Sequence, residues 1–104
     1  MFDDALISEA ARRLQAAAPE SRVLLFGSYA RGEAGPDSDL DFLVIEPVVD
    51  DPAEESVRLR GALTGLHLFA DVVVASEREV DQWGTQHGSF IHTALSEAHP
   101  VAVS

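Results

Sequence analysis

The 104-residue chain contains no cysteine and no lysine, and both absences narrow what it does. Without cysteine there is neither a disulfide framework nor a thiolate metal site, which fits a reducing compartment and a cytoplasmic location. No run of about 18 apolar residues occurs, so no membrane-spanning helix is expected. The start, Met1-Phe2-Asp3-Asp4, is acidic where a secretory signal is basic. Cations are scarce: 7 Lys+Arg stand against 18 Asp+Glu, for a formal charge of -11. Such a charge repels nucleic acid at long range and attracts a basic protein partner. At this length residues 1–104 form a single expected domain, which buries roughly two thirds of its unfolded surface.

What the chain does contain is concentrated between Val23 and Ile45. The apolar run Val23-Leu24-Leu25-Phe26 ends at Gly27-Ser28. A polar, glycine-punctuated segment follows, and a second apolar run then begins with Asp39-Leu40-Asp41. In a strand, alternate side chains share a face, so Asp39 and Asp41 point the same way with Cα atoms about 6.6 Å apart. Leu40, Phe42 and Val44 point oppositely, toward a core. Two adjacent carboxylates repel each other unless a cation sits between them. An all-oxygen site of this kind suits a divalent metal such as Mg²⁺.

The flanking segments supply a scaffold. Leu6, Ala10, Leu14 and Ala17 recur at helical spacing from Asp3 to Ala18, and Pro19 closes that helix. Arg22 to Phe26 reads as a buried strand, and a short helix is expected from near Ser28, where backbone N–H groups and Arg31 face an anion. The acidic strand runs from about Ser38 to Glu46. Asp50-Asp51-Pro52 then starts a helix, with Asp at the cap and Pro in the first turn, that continues to Gly65. A third strand covers His67 to Ser76 and carries one carboxylate, Asp71, among apolar neighbours. Strand, helix and strand in succession form a right-handed parallel unit, which brings Asp71 beside Asp39 and Asp41. Ser76 and Glu79 spell a capping box before another helix, and Ser89 to Ala98 makes a last one, stopped by Pro100. Residues Leu43 and Ile45, on the acid-bearing face, need cover from a helix or a partner. The fold class is α/β, a small mixed sheet of three or four strands packed with helices.

Competing motifs fail on single residues. Gly27 to Gly32 has the glycine spacing of a P-loop, but Glu33 stands where that loop needs lysine. Ser28 lacks the flanking glycines of a hydrolase elbow. The four histidines have no zinc-site spacing, and Trp83 reads as a packing anchor.

Gly27-Ser28, ten residues, Asp39-x-Asp41 and a later strand acid, Asp71, together resemble the signature of the nucleotidyltransferase superfamily that includes the DNA polymerase β palm. Length and flanking residues are most similar to the minimal nucleotidyltransferases (MNT), antitoxin partners of HEPN toxins. The resemblance spans Val23 to about Leu95 and implies a polymerase β palm-like fold that transfers a nucleoside monophosphate from NTP-Mg²⁺ to a hydroxyl. It implies that Asp39, Asp41 and Asp71 hold two Mg²⁺ ions, which in such sites lie roughly 3.5–4 Å apart, and that Asp71 also serves as general base. Gly27, Ser28 and Arg31 would hold the phosphates of ATP. The acceptor would be a tyrosine of a HEPN-type ribonuclease toxin, neutralised by AMPylation in a hetero-oligomer without direct nucleic-acid contact. The alternatives are a small-molecule nucleotidyltransferase subunit acting on an aminoglycoside-like hydroxyl, and a non-catalytic antitoxin that works by binding alone.

Overall fold

A computed structural model describes residues 4–30, 32, 40–66 and 68–101, the side chains of Asp4, Ser28 and Tyr29 excepted. Helix α1, Asp4–Ala17, forms where the helical pattern places it and buries Ala10, Ala11 and Leu14 completely. Strand β1, Arg22–Phe26, runs directly into a one-turn helix, α2, Gly27–Ala30. Strand β2 covers Leu40–Glu46. Helix α3, Pro52–Gly61, begins with Asp51 accepting a hydrogen bond from the Glu54 N–H at 3.1 Å and with proline in its first turn. It stops four residues before the expected Gly65, which lies in the following turn with φ of +92°. Strand β3 is Ala70–Ser76, shorter at its start than the apolar run suggests. The capping box at Ser76 and Glu79 is present and opens α4, Glu77–Trp83. Ser89 caps α5, Phe90–Glu97, through the His92 N–H.

The sheet order is β3-β2-β1-β4, with β2 and β3 parallel and the β1 pairings antiparallel. The edge strand β4, His99–Pro100, pairs with Leu24 and Leu25 where the sequence pattern predicts only a helix stop. Proline is tolerated there because an edge leaves the missing N–H unneeded. Strand alternation divides the core. Leu40, Phe42 and Val44 face α1 and α3 with Val72 and Val74, whereas Leu43, Ile45 and Ala75 face Val80 of α4 and Ile91 and Ala94 of α5. The cover that Leu43 and Ile45 require thus comes from the chain's own last two helices.

No helix among the described residues is long and apolar enough to cross a membrane. Trp83, read as a packing anchor, is 45% exposed; the anchoring of α4 falls to Val80 instead.

Candidate active site

The β1–α2 turn and the first residues of β2 and β3 meet on the face covered by α4 and α5. Phe26 is the antiparallel partner of Asp41, and Asp41 is the parallel partner of Asp71. Residues in register share a face, so Phe26, Asp41 and Asp71 form one row across three strands, each step about 4.8 Å. The parallel β2–β3 pairing therefore brings two of the expected acids side by side. Asp71 is the second residue of β3 and exposed, rather than buried in mid-strand, because the strand begins at Ala70. Asp39 and Arg31 lie outside the described residues, as does the side chain of Ser28.

Gly27 has a steric reason to be glycine. Its φ is +76°, and a β-carbon built on it would come within 2.3 Å of Asp41 Oδ2. The Asp41 carboxylate thus occupies the space that any other residue at position 27 would fill. The Gly27 N–H donates to Glu97 Oε2 at 3.2 Å, so α5 holds the turn against the sheet. A second tie runs from His99 Nε2 to the Ala30 carbonyl at 3.1 Å.

A cleft of about 410 Å³ opens over this row, lined by Phe26, Asp41, Ser56, Arg60, Asp71, Val72, Val73 and Phe90. At one end Phe90, the first residue of α5, meets Phe26 edge to face with ring centroids 5.8 Å apart. At the other, α3 packs along the free edge of β3. There Ser56 Oγ donates to the Val72 carbonyl at 2.5 Å and Arg60 adds a guanidinium. Arg12, Arg13, Arg22 and Arg58 all pair with glutamates, whereas Arg60 has no ion pair among the described residues.

No group of three metal-binding side chains occurs among the described residues. Two carboxylates in register on one face still supply the hard oxygen donors that a divalent cation takes. Asp41 and Asp71 therefore fit such an ion as far as they go. Phe90, Phe26, Arg60 and Glu97 were not legible as site residues. Each reaches the cleft or its supporting turn through tertiary packing, and none belongs to a motif.

The strongest shift in acidity lies elsewhere, at the far end of β2. Burial and the neighbouring Glu55 raise the Glu46 carboxyl to about 7, while hydrogen bonds from Arg58 and Glu46 lower Glu55 to about 2. Glu46 Oε2 is buried with no hydrogen-bond partner among the described residues. Arg58 also donates to the Ala17 carbonyl at 3.0 Å, tying α3 to the end of α1. This cluster joins elements of the fold and does not line the cleft.

Comparison with known proteins agrees with the architecture. Among solved structures, a putative nucleotidyltransferase from Sulfolobus solfataricus aligns with a TM-score of 0.58 at 24% identity, over 76% of this chain and 71% of its own. A toxin–antitoxin complex with AMP-PNP aligns with a TM-score of 0.54 at 20% identity, over 99% and 75% of the two chains. The complex of tri-AMPylated Shewanella oneidensis HEPN toxin with MNT antitoxin gives 0.52 at 18%, over 98% and 74%. These likenesses are of fold. No curated protein sequence matches the chain. The nucleotidyltransferase domain model matches residues 7–103, a span that holds the Gly27 turn, β2 and Asp71. By that match, over nearly its whole length, the chain belongs to the nucleotidyltransferase domain family.

Proposed function

We propose that the protein is a Mg²⁺-dependent protein adenylyltransferase that acts as an antitoxin, moving AMP from ATP to a tyrosine hydroxyl of a HEPN-type ribonuclease toxin. The observation that carries the reading is the register pairing of Asp41 with Asp71 beside the side-chain-free Gly27. The MNT–HEPN complexes among the structural neighbours support the choice of partner.

In this reading the Gly27–Arg31 turn takes the phosphates, Gly27 by leaving room and Ser28 and Arg31 by hydrogen bonding. Asp41 and Asp71, with Asp39, hold Mg²⁺. When bound, the metal neutralises phosphate charge and polarises the α-phosphoryl group. Asp71, exposed at the β3 edge, faces the side from which an acceptor arrives and takes the proton of its hydroxyl. The acceptor oxygen forms a bond to the α-phosphorus, the bond to the β-phosphate oxygen breaks, and pyrophosphate leaves with the electron pair. In this reading the partner itself presents the hydroxyl. The chain acts as one domain over residues 1–104, within the cytoplasm.

The test is transfer of label from α-labelled ATP to the co-purified partner in the presence of Mg²⁺. Asp39→Ala with Asp41→Ala is expected to abolish label. Undiminished labelling by that double variant would remove the catalytic assignment. Protection of cells by the unlabelling variant would instead mark an antitoxin that works by contact alone.

A further inference from the structure

The cleft has two chemically different ends. At the β3 edge are Asp71, Ser56 and Arg60; at the β1 side are Phe26 and Phe90, next to Gly27. Phe26 is 7% exposed and belongs to the core, whereas Phe90 is 57% exposed although it lines the cleft. The open ring offers a flat apolar face to a stacking partner beside the carboxylates. The edge of one ring meets the face of the other, and Ser89 caps the helix that begins at Phe90.

We propose that the open face of Phe90, braced by Phe26, is the platform on which the nucleobase of the donor triphosphate stacks. This rests on the nucleotidyltransferase reading above and extends it to base selection. Stacking on a ring is tolerant of base identity, since every base has a π-face. Among the described residues the cleft's polar side chains, Asp41, Asp71, Ser56 and Arg60, lie along the row and at the far edge. Adenine and guanine nucleotides are therefore accepted alike.

The experiment is calorimetric titration of the full chain with ATP, GTP and inorganic tripolyphosphate, each with Mg²⁺. The parent binds ATP and GTP with comparable affinity. Phe90→Ala weakens both nucleotides by roughly 5- to 100-fold, the range for loss of one base–aromatic stack, and leaves tripolyphosphate unchanged. Phe90→Leu, which keeps apolar bulk and guards against local collapse of α5, falls between. Equal weakening of tripolyphosphate and ATP, no effect on ATP, or strong discrimination between ATP and GTP by the parent would each overturn the stacking role while leaving nucleotide binding intact. A parent that binds no triphosphate would remove the nucleotide reading itself, and the platform with it.

Discussion

Replacing Gly27 by alanine separates two costs that usually come together. The first is backbone. A residue with a β-carbon at φ of +76° pays about 1–2 kcal/mol for the left-handed conformation. The second is contact. The new β-carbon would lie 2.3 Å from Asp41 Oδ2, so the carboxylate must rotate away. Moving a side chain off its preferred rotamer costs about 0.5–1.5 kcal/mol. Together Gly27→Ala is expected to lose roughly 1.5–3.5 kcal/mol. Gly88→Ala is the control. Its φ is +89°, but nothing lies within 4 Å of its β-carbon, so only the backbone cost applies. Urea denaturation of both variants gives the contact cost as a difference, provided the slope of the transition is unchanged. Nucleotide transfer should separate them further, because Gly27→Ala displaces a carboxylate from the row and Gly88→Ala touches nothing in the cleft. Equal stability and equal transfer in the two variants would refute the claim that position 27 is glycine to make room for Asp41.

Two other expectations concern charge. Glu46 has its folded-state acidity weakened to about 7 from an ordinary value of 4.5. Between those limits the folded chain holds a proton that the unfolded chain has lost, so this residue's contribution to stability falls as pH rises through the window. Glu55, lowered to about 2, acts oppositely, and its contribution is lost as pH falls from 4.5 toward 2. Glu46→Gln should remove the first slope and keep the second, as read from urea midpoints against pH; an unchanged upper slope would mean that Glu46 is not the group titrating. Arg60→Ala should leave stability unaltered, since Arg60 is exposed and has no ion pair among the described residues. The same change should lower kcat/KM for nucleotide transfer by removing a guanidinium from the acid cleft, and unchanged transfer would make Arg60 an ordinary solvated side chain.

Much of the fold is visible in the chain because local rules and global packing agree. Strand β1 has the limits that its apolar run sets, and the caps read at the Asp–Pro step and at Ser76 open the helices they announce. The pairing of Asp41 with Asp71 follows from one topological rule, the parallel crossover through α3. The features that carry no local signal depend on contacts between distant segments. Strand β4 is two residues long and exists because Leu24 and Leu25 offer an edge; His99-Pro100 in isolation carries no strand signal. Arg60 and Phe90 sit 30 residues apart at opposite ends of one cleft, and only the assembled sheet relates them. Helix α3 ends at Gly61 although its composition continues, because Leu63 turns back to fill the core beside Leu59.

The two ends of β2 face the same problem and meet it differently. Each sets a strand carboxylate beside a second acid, Glu46 with Glu55 and Asp41 with Asp71. At the first end the chain supplies its own remedy, a guanidinium from Arg58 together with a carboxyl that keeps its proton to about 7. At the second, Asp71 has no hydrogen bond or ion pair among the described residues, and the cleft's guanidinium forms none with it. Adjacent like charges at ordinary pH raise the energy of the fold unless a counter-charge arrives. The chain has only 7 basic residues against 18 acids, and it spends one on the pair that ties helices together. In the proposed function, a divalent cation and its nucleotide would supply the counter-charge that Asp71 lacks among the described residues.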